Sequence, residues 1–270
     1  MDQRLGVLLA CGHDRHPPKG RIDERTHRLI DSARIIGLGR AGRSLGLALE
    51  RSGWTVDLVR RDAPVADAAA GCRLLVIATP DPVIASVAAA VDPNPDSVVV
   101  HLAGSLGLDA LGHHPRRGSL HPLVAMPEPE VGSQRLVGAW FAVSGDPAVG
   151  EVVEALGGRS VEVAEEHRVA YHAAAVVASN HLVALLGQVE RIAAQAGVPF
   201  EAFVDLVRAT VDNVAELGPG AALTGPVARG DWATVARHLD ALEPAERTAY
   251  DVMSNEARKL ASGASAEARS

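Results

Sequence analysis

Residues 33–42 read ARIIGLGRAG, from Ala33 to Gly42, and place three spaced glycines directly after a short β-branched run. The segment 45–49 follows and is typical of a helix. We expect Gly37 to allow a tight turn, Gly39 to let the backbone approach a pyrophosphate, and Gly42 to let the helix pack closely on the strand. The free N–H groups at the helix start would then face the phosphates. The spacing therefore predicts a dinucleotide site made of Gly37, Leu38, Gly39, Arg40, Ala41 and Gly42.

The alternative to a dinucleotide site is an ordinary glycine-rich turn. The residues that follow the turn favour the dinucleotide site. The segment 54–59 is typical of a second strand, at the distance that a βαβ unit requires. The continuous apolar run 74–79 is typical of a parallel strand that is covered on both faces. Later strands are predicted at 97–102, 118–123 and 139–143. Strands and helices thus alternate up to about residue 160.

Two arginines at the end of the second predicted strand indicate which dinucleotide to expect. An NAD site usually has a carboxylate there that accepts hydrogen bonds from the ribose, whereas a 2′-phosphate requires cationic donors. The chain has Arg60 and Arg61 at this place, while Asp62 follows one residue too late and Asp57 lies inside the strand. The alternative is that both arginines are simply solvated in a loop. We interpret the pair as a preference for NADP(H).

The composition is typical of a cytoplasmic protein that binds a small molecule. The net charge of −7 disfavours a nucleic-acid surface. The two cysteines, Cys11 and Cys72, make neither a disulfide framework nor a paired-thiol metal motif, so we predict no metal site. Residues 1–32 mix charges with histidine and proline and do not read as a signal peptide. We assign no role to this extension.

One segment is long and neutral enough to be considered as a membrane span. Residues 169–189 contain no Asp, Glu, Lys or Arg. Polar groups are costly in a lipid-exposed helix, and this segment carries five of them: His172, Ser179, Asn180, His181 and Gln188. We therefore predict no membrane contact. The segment instead predicts a helix at the centre of a bundle or of a homodimer.

The sequence pattern changes near residue 160, and from Glu165 onward almost the whole chain has helical periodicity. Only 218–231 is too rich in Gly and Pro to be predicted as helix. The predicted fold class is α/β, with a Rossmann-type parallel sheet followed by an all-helical C-terminal domain. We place the NADP-binding domain at 33–160, a helical substrate and dimerisation domain at 161–262, and a flexible tail at 263–270.

This domain order resembles the superfamily of pyrroline-carboxylate reductase, ketopantoate reductase and hydroxyisobutyrate dehydrogenase. The chain looks more closely like the bacterial family that pairs a Rossmann-like domain with a C-terminal domain of unknown function. The resemblance runs from about Ala33 to Leu260. It is carried by the glycine turn and by Ala78-Thr79-Pro80-Asp81, Ser119-Leu120-His121-Pro122-Leu123, Tyr171-His172, Ser179-Asn180, Leu223-Thr224-Gly225-Pro226, Arg229-Gly230-Asp231 and His238-Leu239. It implies an NADP(H)-dependent oxidoreductase with Thr79 at the cofactor and, for some members, ketopantoate reduction in pantothenate biosynthesis.

Few residues of the chain could assist hydride transfer to a carbonyl or imine carbon. His121 could donate a proton or a hydrogen bond, or it could simply turn a corner before the next residue, a proline. Asn180 could orient a substrate oxygen or bond a neighbouring helix. His172 and Ser179 are seven residues apart and share a helical face, either in a catalytic set or in a buried polar network. We select His121, Asn180 and His172 as candidate catalytic residues.

Thr224 and Arg229 in the Gly-rich segment are candidate substrate-binding residues, because a guanidinium matches a carboxylate bidentately. The segment resembles the Gly-rich active-site loop of pyrroline-carboxylate reductase. The alternative is an interhelix connection in which Asp231 caps the next helix.

One departure from the related enzymes concerns the proton donor. Ketopantoate and hydroxyisobutyrate enzymes place a lysine about one turn before the helix asparagine, where this chain has Val176. Lys19 and Lys259 are its only lysines. The favoured prediction is an NADPH-dependent reductase of a small carboxylate-bearing keto acid or imine. The alternatives are an NADP-binding sensor or partner protein without turnover, and an enzyme that exchanges hydride between NADP and a deazaflavin.

Overall fold

The computed structural model describes residues 32–267, which form two compact units. The first unit ends at Ala173 and holds a seven-stranded sheet, and the second begins at Ala174 and is built from helices. The predicted extension lies outside the described residues except for Ser32, which begins the first strand.

The sheet of the first unit is parallel at every neighbouring pair but one. Its strands are β1 (Ser32–Ile36), β2 (Thr55–Val59), β3 (Leu74–Ile77), β4 (Val98–His101), β5 (Arg117–Pro122), β6 (Trp140–Gly145) and β7 (Arg159–Glu162). Their order is β2-β1-β3-β4-β5-β6-β7, and only β5 and β6 pair antiparallel. This confirms the predicted Rossmann-type α/β fold. The strand order changes direction at β1, because β2 lies on one side of it and β3 on the other. Ligands of such sheets bind at the carboxyl ends of the strands at this switch point.

Four helices and two short 3₁₀ segments connect the strands, and a third 3₁₀ segment follows the last strand. They are α1 (Arg40–Arg51), α2 (Asp81–Ala89), α3 (Pro129–Leu136) and α4 (Ala148–Ala155), with 3₁₀ segments at Ala66–Ala69, Leu108–Leu111 and Glu165–His167. Helix α3 and strand β7 are not predicted from the sequence. Helix α3 lies close against α1, because a Cβ at Gly132 would lie only 2.1 Å from Ser44 Oγ. Strand β7 has four exposed residues, so it carries no apolar pattern by which it could be recognised.

Both faces of the sheet are covered, as the continuous apolar strands predict. Ile35 packs on one face with Leu45 and Leu49 of α1, whereas Ile36, its neighbour in the chain, packs on the other face with Ile84 of α2. Alternate residues of a strand point to opposite faces, so one strand contributes to both clusters. Ile35 and Leu49 are fully buried, and each such side chain stabilises the fold by about 1.5–3 kcal/mol. This packing holds the carboxyl end of β1 and the start of α1 rigidly together.

The remaining helices begin with α5, which crosses the boundary between the two units. They are α5 (Arg168–Val176), a π-helical turn at Val177–His181, α6 (Leu182–Gln195), α7 (Glu201–Leu217), α8 (Pro219–Ala222), α9 (Gly225–Ala228), α10 (Trp232–Ala241) and α11 (Pro244–Glu267). The segment between α7 and α10 was predicted to be non-helical and instead forms two single turns of helix. Each has a proline in its first turn, where the missing N–H costs nothing. Asp231 caps α10 as predicted, accepting from the Thr234 N–H at 3.1 Å.

The helical stretch Glu165–Gln195 is long and apolar enough to cross a membrane by length and composition, with a mean hydropathy of 1.5. None of its most apolar part is buried within the chain, and Val183 in α6 is 69% exposed. Near its C-terminal end Gln188 is buried and donates to the Glu246 carbonyl at 2.9 Å, while Arg191 pairs with the Glu246 carboxylate. This stretch is thus held to the sheet near its start through Arg168 and to α11 near its end, while no part of the described chain covers its most apolar part.

Candidate active site

The predicted glycine turn joins β1 to α1 and is closed on one side by the end of β3. Gly37 has a φ of 108°, and a Cβ there would lie 2.6 Å from the Ala78 carbonyl carbon. A Cβ at Gly42 would lie 2.1 Å from the Gly37 oxygen. Both positions therefore require glycine, for backbone conformation at the first and for close packing at both. Gly42 is predicted to let the helix pack on the strand, whereas the atom nearest to a Cβ there is the oxygen of the turn residue Gly37.

Gly39 differs from the other two glycines of the turn because the space around it is open. Among the described residues, a Cβ at Gly39 would meet nothing within 4 Å, and its φ of −73° is accessible to any residue. Gly39 is the N-cap of α1, no side chain caps this helix, and its first turn has no acidic residue. The first N–H groups of a helix have no partner within the helix, and they make its N-terminus a site for anions. The open space and these N–H groups fit a pyrophosphate.

Two further features near the turn fit a bound dinucleotide: the arginines that follow β2 and the threonine that follows β3. Arg60 and Arg61 directly follow β2 and are exposed, and within residues 32–267 the side chain of Arg60 makes a single polar contact, with Asp62 at 3.4 Å. Asp57 is paired instead with Arg34 at 2.9 Å. Thr79 follows β3 beside Gly37, and its buried hydroxyl has no hydrogen-bond partner among the described residues. An unsatisfied buried hydroxyl calls for a partner that the chain itself does not supply. The site therefore fits a dinucleotide with a 2′-phosphate.

His121 lies in β5 and has two aromatic neighbours from α5. Its Nδ1 lies 2.6 Å from the Tyr171 hydroxyl oxygen, and the ring of His172 meets it edge-on with centroids 5.8 Å apart. Burial, then His172 and Arg168, lowers the pKa of His121 from 6.5 to about 4. Burial also raises the pKa of Tyr171 to about 12. At neutral pH both groups of this His–Tyr pair are therefore uncharged.

A row of polar side chains crosses the sheet beside this pair. His101 of β4, Ser119 of β5 and Ser144 of β6 are cross-strand partners and so share one face of the sheet. His101 Nδ1 and Ser119 Oγ are buried without a hydrogen-bond partner among the described residues. Burial lowers the pKa of His101, which favours its neutral form. The side chains of this row are therefore polar and uncharged. The charged group next to them is the guanidinium of Arg168.

Arg168 begins α5 and is 1% exposed. Its Nη2 donates to Ser144 Oγ at 2.8 Å and its Nη1 to the Gly104 carbonyl at 3.5 Å. Among the described residues, the one carboxylate within 4 Å of it belongs to Glu165, which lies 3.9 Å from Nε and is more than half exposed. A buried cation without a close counter-ion is costly to retain, and burial lowers the pKa of Arg168. Arg168 therefore gives this region an excess of positive potential.

The structure brings His121 and His172 together, and it places the other predicted residues in the helical unit. Asn180 lies in the π-helical turn, where Ser179 Oγ lies 2.9 Å from Asn180 Oδ1 and 2.7 Å from the Ala175 carbonyl. A π turn adds a residue to the helical repeat, so the spacing of a regular helix does not set the faces here, and such turns are frequent at functional sites.

The two predicted substrate residues flank α9 and are both exposed. Thr224 is the N-cap of this short helix, and Arg229 follows its last residue. No hydrogen bond of the Arg229 side chain is seen within residues 32–267, which leaves its guanidinium available for an anion.

Sequence reasoning does not select Tyr171 or Arg168 as site residues. Tyr171 was noted as part of a motif beside His172, but its contact with His121 spans 50 residues of chain. Arg168 is the last charged residue before the neutral segment 169–189, and a lone arginine at the start of an apolar helix is the signal that could have been followed. A second His–Tyr pair, His238 with Tyr250 at 2.6 Å, lies in the helical unit at an exposed position.

Solved structures similar to this chain share its fold. One is a Bacteroides fragilis protein described as an NADP oxidoreductase, with 20% identity and a TM-score of 0.71 over 86% of this chain and 99% of the other. A Thermotoga maritima protein has 24% identity and a TM-score of 0.67 over 86% and 98%. Pyrroline carboxylate reductase from Plasmodium falciparum, solved with NADP bound, has 12% identity and a TM-score of 0.57 over 85% and 98%.

Among curated proteins, none matches the sequence. Residues 140–257 match the family described as "Domain of unknown function (DUF2520)". The matched segment begins at Trp140, the first residue of β6, and so includes the last two strands of the sheet as well as most of the helical unit. This match covers less than half of the chain, and the two strands within it, β6 and β7, complete the sheet of the first unit.

Proposed function

We propose that this chain is an NADP(H)-dependent oxidoreductase that reduces a small carboxylate-bearing keto acid or imine, in the manner of a ketopantoate reductase. The observation that carries the proposal is the open turn at Gly39, where the uncapped N-terminus of α1 faces space that no part of the described chain fills. An anion is the ligand that such a helix terminus favours.

The residues around this turn have distinct tasks in cofactor binding. The N–H groups that follow Gly39 hold the pyrophosphate, and Arg60 and Arg61 supply the cationic donors for a 2′-phosphate. Thr79 places its free hydroxyl beside the turn. When bound, NADPH supplies the hydride for the reduction. The chain itself must then orient the substrate and provide a proton.

His121 is the group that we assign to the proton. It is held by Tyr171, flanked by His172, and uncharged at neutral pH, so one of its ring nitrogens carries a hydrogen that can be donated. Asn180 and Thr224 offer polar groups for the substrate, and Arg229 offers a planar guanidinium for its carboxylate. These assignments give the substrate class as an acid with a reducible carbonyl or imine group.

The exposed apolar surface of the helical unit supports homodimerisation. Val183 and Leu206 are each more than 60% exposed, although they lie in well-formed helices. Large apolar side chains that stay exposed on a folded unit are typical of an interaction site on a protein in solution. The polar groups of Ser179 and Asn180 on the same stretch suit a second copy of the chain better than lipid.

One observation favours a second candidate function, a nucleotide-binding sensor without turnover. Val176 occupies the place of the lysine in related enzymes, and Lys259 is the one lysine within the described residues. A protein that lost this group and kept the glycine turn would still bind NADP(H). This candidate predicts cofactor binding with no substrate that supports oxidation of NADPH.

Two measurements on the full chain separate these candidates. NADPH should raise the melting temperature in proportion to the logarithm of its concentration, and NADH should do so less at equal concentration. Oxidation of NADPH with a panel of small keto acids, followed at 340 nm, then identifies an enzyme. Absence of any thermal shift with both nucleotides would refute the proposal, and a shift without turnover on the panel would support the sensor.

A further inference from the structure

We propose that Tyr171 is the proton source of the site, acting through His121. The Tyr171 hydroxyl donates to Nδ1 of His121, holds the ring proton of His121 on Nε2, and replaces that proton once it has passed to the substrate. Arg168 stabilises the negative charge that remains on Tyr171. This role rests on the reductase function proposed above, and it makes Tyr171 a positioning residue that need not touch the substrate.

The geometry places the three groups in one connected set. Tyr171 and Arg168 lie three residues apart on α5, which puts them on the same face of the helix. Tyr171 reaches β5 through the 2.6 Å contact with His121 Nδ1. On the other side of the ring, a Cβ at Gly104 would lie 2.9 Å from His121 Nε2. A side chain at this position would therefore clash with Nε2, and glycine avoids the clash. Within the described residues, Nε2 of His121 makes no hydrogen bond and is free to serve a substrate.

The direction of the hydrogen bond follows from the chemistry of the two groups. Tyr171 is protonated and His121 is neutral at pH 7, since their pKa values are about 12 and about 4. A phenol is a stronger acid than a neutral imidazole, and the imidazole nitrogen is the stronger base. The hydroxyl therefore donates and Nδ1 accepts. The tautomer of a histidine is set by the bond that its other nitrogen makes, so the ring hydrogen lies on Nε2.

The proton transfer balances without any further reactant. When hydride reaches a carbonyl carbon, the carbonyl oxygen gains a negative charge and takes the Nε2 proton as the N–H bond breaks and an O–H bond forms. The Tyr171 O–H bond breaks and an Nδ1–H bond forms, so His121 stays neutral and becomes the other tautomer. The phenolate of Tyr171 carries the charge until it takes a proton from water. An alkoxide is more basic than a phenolate, so the transfer is favourable.

The charged and titratable groups around His121 favour anionic over cationic species. His172, Arg168 and His101 disfavour a positive charge on the His121 ring, whereas Asp81 favours one. Arg168 acts in the same sense on Tyr171, where it favours the phenolate. A protonated imine would meet the same unfavourable potential as a protonated His121, whereas a developing alkoxide is stabilised. The arrangement therefore favours a keto acid over an imine.

The helical unit contains a matched control. His238 and Tyr250 repeat the contact of Nδ1 with a tyrosine hydroxyl at 2.6 Å with perpendicular rings, but at an exposed position. Tyr171 and Tyr250 are the only two tyrosines of the chain. Tyr250→Phe therefore removes the same contact from the other unit and leaves the proposed site intact.

The first test needs neither cofactor nor substrate. Nitrogen-15 NMR of histidine-labelled protein at pH 7 should show His121 as the tautomer with its proton on Nε2, with an apparent pKa near 4. Tyr171→Phe should abolish this tautomer preference, while Tyr250→Phe should change only the His238 signals. A His121 that carries its proton on Nδ1, or that is protonated at pH 7, overturns the proposal. This measurement on the wild-type protein does not depend on whether any variant folds.

The second test measures turnover on the best keto acid of the panel. Tyr171→Phe should lower kcat by about 100-fold and leave KM nearly unchanged, and Tyr250→Phe should leave both unchanged. Equal kcat for wild type and Tyr171→Phe would overturn the role of Tyr171 while the reductase function stands. Faster reduction of a matching imine would overturn the preference for a keto acid. If wild type itself reduces no substrate while the NMR result is as expected, the reductase function fails and the catalytic role of Tyr171 fails with it.

Discussion

Replacing Gly39 by alanine should separate cofactor binding from folding. The added Cβ meets no atom of the described chain within 4 Å, and the backbone at φ −73° and ψ −174° suits alanine. Alanine is a poorer N-cap than glycine, which costs about 0.5–1 kcal/mol, while the loss of flexibility in the unfolded chain offsets a similar amount. The stability of the protein should therefore change by less than about 1 kcal/mol. The methyl group would instead occupy space that the pyrophosphate needs.

The expected loss of affinity follows from the contacts at stake. A hydrogen bond from a backbone N–H to a charged phosphate contributes about 1.5–3 kcal/mol, and each 1.4 kcal/mol corresponds to a factor of ten. Displacing the pyrophosphate from one such contact should therefore raise the Kd for NADPH roughly 10- to 100-fold. Isothermal titration calorimetry on the purified variant measures this, with thermal melting of the free protein as the check on stability.

Two other glycines provide the controls. Gly150 in α4 also has open space around it, so Gly150→Ala should leave the Kd unchanged. Gly42→Ala should lower both stability and affinity, because its Cβ would lie 2.1 Å from the Gly37 oxygen and must displace the turn. A Gly39→Ala protein that binds NADPH as tightly as wild type would show that the pyrophosphate does not lie on this turn. A large loss of stability in that variant would contradict the argument from open space.

Three further predictions test the cofactor preference, the assembly and a structural ion pair. Changing Arg60 and Arg61 together to glutamine should weaken NADPH binding about tenfold or more and leave NADH binding nearly unchanged, as measured by calorimetry. Val183→Glu should shift the protein from dimer to monomer in sedimentation equilibrium, because it places a charge on the exposed apolar helix. Arg116 holds the pKa of Asp146 below its ordinary value, so Arg116→Gln should lower the melting temperature by roughly 2–4 °C at pH 7. That difference should be fully present above the ordinary carboxyl pKa of 3.8 and shrink as the pH falls toward the lowered pKa of folded Asp146, because protonation of the folded carboxyl removes the ion pair.

Each of these predictions has a control and a result that contradicts it. Arg208→Gln removes an exposed arginine of the helical unit and should leave the preference for NADPH unchanged. Val137→Glu adds a charge at an equally exposed valine in the first unit and should not affect assembly. Equal weakening of NADPH and NADH, a dimeric Val183→Glu protein, or a difference in melting temperature that persists at pH 3 would each count against the reasoning.

The sheet could be predicted from sequence because its strands carry their own signals. Ile35 and Ile36 of β1 are buried on opposite faces, and all four residues of β3 are buried, so both strands carry apolar residues at consecutive positions. The glycine turn is equally predictable from the sequence, because the backbone conformation at Gly37 and the close packing at Gly42 exclude other residues. Strand β7 has no such constraint, because all four of its residues are exposed. Its position depends on pairing with β6, which is a contact between segments and leaves no local pattern.

The site was less predictable for the same reason. His121 could be selected as a polar residue after a predicted strand, but its partner Tyr171 comes from a helix 50 residues away in the chain. The burial of Arg168 depends on three segments at once, since its guanidinium meets Ser144, Gly104 and Glu165. A sequence pattern reports the neighbours of a residue along one element, and it does not report contacts that form only when elements pack together.

The missing lysine and the buried arginine can be understood together. A lysine that donates a proton supplies both the proton and a positive charge, and it loses that charge as it reacts. In this chain the proton would come from Tyr171 through His121, neither of which is charged at neutral pH. The charge belongs to Arg168, whose guanidinium stays protonated throughout. The positive potential would thus persist after the proton has moved and continue to stabilise the phenolate of Tyr171, so Val176 at the lysine position does not by itself imply a loss of catalysis.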